Sequence, residues 1–368
     1  MYKFIMYRFL CKRWFLVGLF IAIGGGLPLG FALPADQLDQ LRSTVGADRT
    51  GYVVALVLFL MAFSLDSRKL RASLVAPAPV LWAVLINQAM IPVMAWPLSW
   101  IQGNDDFRLG LMIAATVPCT MAAASVWTRK AGGNDAVSLL VTVITNGLCF
   151  IVTPLWLQTY AAVELAGVVS SVNLDTWQMV QRLIQSALIP IVLGQLARMV
   201  PALARGADRF KTPMGVLAQA AILLLVFGAA CGAGPQLASG SGYEGGIQAI
   251  VVVWLSCITL HLAGMLIAVR GAAAIGFSAE DRRAVAFAGS QKTLPIGVLL
   301  ATDPLLFGGS GLPFAVFPML MFHGSQLFID TAVADRMAES ASSESESESG
   351  RQAVGAETVA DRGPVSNG

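Results

Sequence analysis

Ten long apolar segments constrain this chain more than any other feature of its sequence. They lie near residues 14–33, 51–65, 78–101, 109–128, 136–159, 180–200, 213–234, 246–269, 284–302 and 312–333. An apolar segment of about 20 residues is long enough to cross the hydrocarbon core of a bilayer. Only 12% of the 368 residues are charged, and the mean hydropathy is +0.70, whereas soluble domains carry about 25% charged residues. We therefore predict an all-α membrane protein with about ten transmembrane helices embedded in the lipid bilayer.

The basic residues support this count and also give an orientation. If the N-terminus is cytoplasmic, sixteen Lys and Arg residues fall at cytoplasmic ends of the segments and four at the opposite ends. Lys and Arg collect on the cytoplasmic side of spanning helices. Both termini are therefore predicted to be cytoplasmic, in a cytoplasmic or bacterial inner membrane. The net charge of +2 is too small and too scattered to indicate a nucleic-acid partner.

The two ends of the chain differ from the part between them. The basic and then apolar start is similar to a signal peptide, but its apolar part is long and lacks a convincing cleavage site. We interpret it as a retained first helix of one transmembrane domain, residues 1–333. Residues 334–368 are rich in Ser, Glu and Gly and are predicted to form a disordered cytoplasmic tail.

The fourth and ninth segments are both interrupted. Ten spans divide into two halves of five, and an odd number of spans places the second half upside down relative to the first. Such inverted five-helix repeats are common in secondary transporters, where broken helices of the two halves form a site near the membrane midplane. The fourth segment contains Pro118 and the ninth contains Gly289, Pro295 and Gly297 beside polar residues. This pairing favours a binding site over simple helix packing, which Gly and Pro also serve in membranes.

Lys292 lies in the middle of the ninth segment. A cation at the bilayer centre costs about 2.5–3.5 kcal/mol on insertion scales. The ninth segment contains no Asp or Glu, so Asp135 and Asp330 are the candidate partners from other helices. The lysine could replace a bound cation, bind an anionic substrate or carry a proton. The alternative without a function is that it snorkels to the membrane surface.

Two stretches, VPCTMAAASVWTRKAGGNDAVSLLVT (117–142) and FAGSQKTLPIGV (287–298), resemble the bile acid:sodium symporter superfamily, in particular its SBF-like branch. The resemblance covers residues 14–333. It implies a core domain, with the fourth and ninth helices crossed, that moves against a panel of the first, second, sixth and seventh helices. It also implies a secondary active transporter that moves a small organic anion by alternating access, coupled to Na⁺ or H⁺.

The resemblance further implies which residues bind ions and substrate. One sodium ion would lie between the crossover and the fifth helix, and another beside the ninth and third helices. The candidate ion-binding residues are Asn87, Ser125, Ser138, Thr142 and Gln291, with Ala124 next to Ser125 at the crossover. The candidate substrate or coupling residues are Thr120, Asn134, Ser290, Lys292 and Thr293.

The residues themselves support part of this assignment. Ser138 and Thr142 are one turn apart and face the same side of a helix, and hard cations prefer oxygen ligands. Hydroxyl groups in membrane helices also bond to their own backbone or to a neighbouring helix. The sodium-coupled members carry a glutamate where this chain has Phe287, so the resemblance does not extend to coupling by two sodium ions.

Functions other than transport have weaker support in the sequence. A cation-homeostasis or regulatory protein of the same fold is the main alternative, followed by an arsenite-type exporter that would use Cys119. The five cysteines lack metal or disulfide spacing. His261 and His323 are interpreted as hydrogen-bonded structural residues, with a proton path as the alternative. No catalytic motif is present, so an enzyme is not expected, no cofactor other than Na⁺ is expected, and no oligomeric state is predicted.

Overall fold

A computed structural model of the protein describes residues 14–44, 49–65, 77–121, 123–164, 175–239, 246–303 and 314–360. These residues form helices. They are α1 (Trp14–Ala32), α2 (Ala35–Thr44), α3 (Thr50–Phe63), α4 (Pro77–Trp100), α5 (Asp105–Thr116), α6 (Ala123–Lys130), α7 (Asp135–Glu164), α8 (Thr176–Met199), α9 (Pro201–Arg209), α10 (Lys211–Ser239), α11 (Gly246–Ile275), α12 (Ala279–Ser290), α13 (Leu294–Thr302) and α14 (Val316–Ala360). Two of them, α4 and α8, contain a π-helical turn, at Ile86–Met90 and Ile184–Leu188.

Six helical segments of the described part are long and apolar enough to cross a membrane. They are Pro77–Trp100, Asp135–Glu164, Thr176–Met199, Lys211–Pro235, Gly246–Ile275 and Ala279–Thr302. The last includes the break between α12 and α13, and α1 and α3 add shorter apolar helices. Each of the ten predicted segments falls on a helix or on a pair of helices separated by a break. An all-helical membrane protein is therefore confirmed.

The helices of the described part pack in two groups. In the first group α1 packs against α10, α10 against α3, and α3 against α8. In the second group α12 lies between α4, α6, α7 and α11, while α14 packs against α5, α6 and α11. The short helix α13 contacts α3 and α10 of the first group and α5 and α14 of the second. The helices α5, α6 and α12 of the two broken segments thus lie within the second group, and α13 lies between the two groups.

A proline explains the π-helical turn of α4. Pro92 has no N–H group, and its ring crowds the carbonyl four residues earlier. The Ile91 N–H bonds one residue further back than in an α-helix, to the carbonyl of Ile86, so the Asn87 carbonyl has no donor within the helix. The Gln88 carbonyl accepts a hydrogen bond from Trp156 Nε1 of α7 at 2.8 Å. Carbonyl groups freed inside α4 are therefore available to neighbouring helices.

The last helix continues beyond the predicted end of the membrane part. A disordered tail was predicted from residue 334, but α14 extends to Ala360. Ala334 is fully buried, and the Lys130 ammonium of α6 lies 2.5 Å from a carboxylate oxygen of Asp335. Alanine and glutamate are good helix formers, and the contacts with α6 hold the turns that follow residue 333. The helix thus continues past residue 333, and residues 361–368 lie outside the described residues.

Small residues bring α1 and α10 into close contact. A methyl group at Gly30 would overlap the carbonyl oxygen of Cys231, and one at Gly234 would lie 2.6 Å from the backbone of Gly30. Gly26, one turn earlier in α1, faces Ala230. Small residues spaced by four let two membrane helices pack backbone against backbone. The Gly26–Gly30 face therefore fixes the position of α1 on α10.

We expect Gly30→Ala to lower the apparent melting temperature of the purified protein in detergent, because the added methyl group pushes α1 away from α10. Overpacking of this kind costs about 1–3 kcal/mol. Gly25→Ala is the matched control, since nothing lies within 4 Å of a methyl group there and alanine favours the helix. Equal melting temperatures for the two variants would contradict the described packing.

Candidate functional site

The two broken segments meet at their breaks. The first break separates α5 from α6, and the second separates α12 from α13. The Thr293 N–H donates to the Pro118 carbonyl at 2.8 Å, which joins the two breaks through their backbones. The Thr120 hydroxyl donates to Gln291 Oε1, also at 2.8 Å. The two breaks are thus bonded directly to each other, and the place where they meet is called the crossover below.

Side chains from other helices satisfy the backbone of the second break. Pro295 has no N–H to offer the Gln291 carbonyl, which instead accepts from Asn87 Nδ2 at 2.8 Å. Gln326 of α14 accepts from the Lys292 N–H through Oε1 and donates to the Lys292 carbonyl through Nε2, both at 2.9 Å. Irregular backbone at membrane depth is stable only when such partners are present. The break is therefore held open by α4 on one side and by α14 on the other.

The Lys292 side chain is fully buried at the crossover. Its ammonium group donates to the backbone oxygen atoms of Asn87, at 2.5 Å, and Val117, at 3.0 Å, and to Asn87 Oδ1 at 3.3 Å. The first carbonyl is the one freed by the π turn of α4, and the second lies at the C-terminal end of α5. A helix C-terminus carries partial negative charge, which favours a cation. Neutral oxygen atoms alone therefore hold the charge of Lys292 among the described residues.

The expected partners of Lys292 lie elsewhere. Asp135 forms an ion pair with Arg129 at 3.0 Å and accepts a hydrogen bond from the Ser125 hydroxyl. Asp330 accepts from Gln291 Nε2 at 2.5 Å. Neither carboxylate contacts the lysine, because backbone carbonyl groups freed by the broken helices take that place. Snorkelling is also excluded, since the ammonium group is buried.

Thr142, one of the two predicted hydroxyl residues of α7, lies against the first break, with Oγ1 at 3.3 Å from the Thr120 carbonyl oxygen. Thr142 Oγ1 donates to the Ser138 carbonyl at 2.9 Å, and Asn146 Nδ2 donates to the Cys119 carbonyl at 2.8 Å. Ser138 Oγ and Asn146 Oδ1 are buried without a hydrogen-bond partner among the described residues. Buried polar atoms without partners are uncommon in native proteins, and oxygen atoms are the ligands of hard cations. Asn146 was not predicted, although it continues the spacing of Ser138 and Thr142 by one more turn.

The other predicted residues make contacts of different kinds. Ala124 is buried, and its N–H donates to Thr120 Oγ1 at 3.1 Å. Ser290 Oγ bonds within its own helix, to the Ala286 carbonyl at 2.7 Å. Asn134 Nδ2 donates to Asp281 at 2.8 Å and so ties the start of α7 to the start of α12. The crossover brings together Asn87, Thr120, Gln291, Lys292 and Thr293, whereas the side-chain bonds of Ser125 and Asn134 are with residues outside the two breaks.

A second polar contact at the crossover was not predicted. His261 of α11 and Asp330 of α14 are both fully buried, and His261 Nε2 lies 2.8 Å from Asp330 Oδ1. Gln326, like Asn146, was not predicted as a site residue, and a glutamine within an apolar segment is the signal that indicates it in the sequence. The described residues contain no group of three His, Cys, Asp or Glu side chains that could hold a metal ion.

Comparisons with known proteins show the family of this chain. Residues 13–339 match the family model of the SBF-like CPA transporter family. The chain belongs to this family. Sodium/bile acid cotransporter 7 of Rattus norvegicus is 22% identical over 340 residues, which cover 88% of this chain and 91% of that protein. The protein of the same name from Mus musculus gives the same values. YfeH of Escherichia coli (strain K12) is 26% identical over 260 residues, which cover 70% of this chain and 74% of YfeH.

Membership in the SBF-like CPA transporter family confirms the resemblance given by the two motifs. It also makes this chain a member of a transporter family. The family match includes both breaks and extends to residue 339, so it covers all the crossover residues described above.

We expect Gln326→Leu to destabilise this SBF-like protein, because the Lys292 N–H and carbonyl would lose the partner that both share. Each buried polar group left without a partner costs about 1–3 kcal/mol. The apparent melting temperature in detergent is the measurement. Thr331→Ala is the control on the same helix, since its hydroxyl bonds only to the Leu327 carbonyl of α14. A melting temperature for Gln326→Leu equal to that of the control would contradict the role given to Gln326.

Proposed function

We propose that this protein is a secondary active transporter that moves a small organic anion by alternating access, coupled to Na⁺ or H⁺. The observation that carries the proposal is a buried lysine, Lys292, held by neutral oxygen atoms where two broken helices cross. Broken helices that meet in this way form the binding sites of transporters built from inverted repeats. The names of two relatives, sodium/bile acid cotransporter 7, support an organic anion as substrate and Na⁺ as a coupling ion.

The proposal includes the architecture. Ten spans form two inverted repeats of five, with both termini cytoplasmic. The panel consists of α1, α3, α8 and α10, and the core contains the two crossed segments. In support, the four panel helices pack on one another, while α12 is enclosed by core helices. Alternating access would then be a movement of the core against the panel.

Lys292 takes the place of one coupling ion in this proposal. An ammonium group has three N–H donors, and three oxygen acceptors surround this one. A neutral amine has two N–H donors and would leave one of these three oxygen atoms without a donor. An anion that bound the ammonium group directly would have to displace one of the three oxygen atoms. Neutral oxygen atoms are also ligands of hard cations. The arrangement therefore supports a fixed positive charge more strongly than direct anion binding or proton transfer by the lysine.

A sodium ion is proposed to bind beside α7. Its ligands would come from Ser138, Thr142 and Asn146, next to the first break. The support is that Ser138 Oγ and Asn146 Oδ1 are buried and have no partner among the described residues. Asn87 and Gln291 are the residues predicted for a second sodium site. Their side chains already form hydrogen bonds with Lys292, Thr120, Asp330 and the backbone of the second break. We therefore assign no second sodium ion.

The alternatives have less support. A cation-homeostasis or regulatory role on the same fold would need no substrate anion, and the buried positive charge of Lys292 favours one. An arsenite-type exporter would use Cys119, whose buried thiol contacts the Thr120 carbonyl at 3.7 Å and the Thr142 hydroxyl at 3.8 Å. A soft metalloid favours several thiolates, and the described residues bring no second cysteine into contact with Cys119.

Sodium is expected to stabilise the wild-type protein against heat, because an ion that binds only the native state raises its stability by mass action. At ten times the dissociation constant the gain is about 1.4 kcal/mol. Apparent melting temperatures are compared in NaCl and in choline chloride at equal ionic strength. Ser138→Ala should abolish the difference. Ser290→Ala, which removes a hydroxyl bonded to its own helix, should retain it.

Equal stability of the wild-type protein in the two salts would remove Na⁺ from the proposal and leave H⁺ as the coupling ion. A sodium response that persists in Ser138→Ala would place the ion elsewhere.

Lys292→Gln is expected to abolish transport and to increase the sodium response. Without the ammonium group, the oxygen atoms of Asn87 and Val117 become free to bind an ion. Uptake of labelled organic anions, beginning with a bile acid, is measured in proteoliposomes, and stability is measured in the two salts. Lys130→Gln is the control, because that lysine lies at the surface and pairs with Asp335. A folded Lys292→Gln variant with wild-type uptake would refute the assigned role.

A further inference from the structure

His261 and Asp330 form a buried pair that the function proposed above does not use. Asp330 Oδ1 lies 2.8 Å from His261 Nε2, and Asp330 Oδ2 accepts from Gln291 Nε2 at 2.5 Å. Both side chains are 0% exposed. The ring of Phe322 packs edge-on against the imidazole, with 5.8 Å between the ring centroids. The pair is therefore shielded from water, and the imidazole is held in one orientation.

Both ring nitrogens of His261 face oxygen atoms. Nε2 faces the Asp330 carboxylate, and Nδ1 lies 3.3 Å from the Ser290 carbonyl oxygen. A neutral imidazole has one N–H, so beside an ionised carboxylate one ring nitrogen would direct a lone pair at an oxygen atom. Both contacts become hydrogen bonds when the pair holds one further proton, either on the imidazole or on the carboxyl group. The geometry therefore matches the protonated form of the pair.

His323, the other histidine of the chain, makes a hydrogen bond that does not require a second ring proton. The Lys292 N–H fixes Gln326 Oε1 at 2.9 Å, so Gln326 Nε2 is the group that lies 2.8 Å from His323 Nδ1. Because that amide nitrogen donates, Nδ1 accepts and carries no proton. Nδ1 also lies 3.4 Å from the Lys292 carbonyl oxygen, but that oxygen already accepts from Gln326 Nε2 at 2.9 Å. The closer contact of Nδ1 is therefore the one that a neutral imidazole accepts.

The charge of the crossover depends on the proton. Lys292 follows Gln291, the residue that contacts Asp330, so the lysine and the pair belong to the same break. With a proton bound, the pair is neutral overall, and Lys292 leaves one buried positive charge. Without that proton, the pair is negative and cancels the lysine. Charges interact strongly where water is excluded, so protonation makes the crossover attractive to an anion.

We propose that His261 and Asp330 are the proton-binding site of this protein and that the bound proton is carried together with the substrate anion. The inference rests on the transporter function proposed above and specifies H⁺ as a coupling ion. One proton adds to the pair on the side where the anion binds. The same proton leaves on the other side and restores the neutral imidazole and the carboxylate.

Other titratable groups face the same interior, and each has its own partner. They are Lys292, whose donors are all used, His323, which accepts from Gln326, Cys119, whose thiol contacts the Thr120 carbonyl, and Cys257, whose thiol contacts the Pro318 carbonyl at 3.4 Å. Farther along α14, Asp335 pairs with Lys130. Of these groups, the His261–Asp330 pair is the one whose contacts with oxygen atoms call for one further proton.

The proton site can be tested without a substrate. The chain has two histidines, so His323→Gln assigns the imidazole signals in the nitrogen NMR spectrum of the full-length, histidine-labelled protein. Spectra are recorded between about pH 5 and about pH 9, the range that spans the ordinary titration of histidine. We expect the His261 ring to change between two N–H groups and one, or its single N–H to respond to a carboxyl proton. Asp330→Asn should alter this pH response. A His261 spectrum that is constant with pH and unaffected by Asp330→Asn would overturn the inference.

Coupling is tested in proteoliposomes with the labelled anion that the wild-type protein takes up. For one proton per anion, a gradient of one pH unit supports up to about tenfold accumulation. Asp330→Asn should remove the dependence on the pH gradient, whereas Thr331→Ala, the next residue on α14, should retain it. Wild-type uptake that ignores the gradient, or an Asp330→Asn variant that still follows it, would overturn the proton site. If no anion is taken up at all, the transporter proposal fails, and the NMR result alone decides whether the pair binds a proton.

Discussion

Backbone hydrogen bonding inside a membrane is the constraint on which this structure depends. Water is absent from the bilayer core, so each N–H and carbonyl group freed by a broken helix needs a partner from the protein. Here the two breaks satisfy part of each other's backbone hydrogen bonding, because the Thr293 N–H donates to the Pro118 carbonyl. Asn87 and Gln326 supply further partners for the second break. The helices around the crossover must therefore occupy fixed positions.

The same freed groups make the buried lysine possible. A lysine in an intact apolar helix would lack acceptors, because every carbonyl nearby would already be bonded. The π turn of α4 and the end of α5 each release one carbonyl toward the same point, and Lys292 fills it. An ammonium group costs several kcal/mol elsewhere in the membrane. Here it is stabilised by two helix interruptions, the π turn of α4 and the end of α5, and each interruption would be unfavourable without the lysine.

Much of this arrangement could be predicted from local sequence. Apolar length gave the positions of the helices, and Pro118, Pro295 and the glycines of the ninth segment gave the two breaks. The partner of Lys292 was predicted incorrectly, because a search for carboxylates ignores backbone carbonyls that become free only where proline disturbs a helix.

The remaining side-chain contacts could not be predicted for a different reason. Gln326, Asn146 and the His261–Asp330 pair depend on which helix faces act together, and that is decided by packing between segments far apart in the sequence. The extent of α14 also depends on such packing, since α6 supports its continuation through Lys130 and Asp335. Composition alone predicts disorder for that region, because it takes no account of this contact.

A cation that belongs to a side chain differs from a dissolved ion in how it responds to voltage. A sodium ion crosses and is released, so the membrane potential contributes about 2.3 kcal/mol per 100 mV for each charge that completes the passage. In the proposed transport cycle the ammonium of Lys292 stays attached to the backbone and returns with it, so the net electrical work on this charge is zero over a full cycle. The lysine gives the crossover a positive charge and adds nothing to the net current. The membrane potential therefore acts only on the ions and the substrate that cross the membrane and are released.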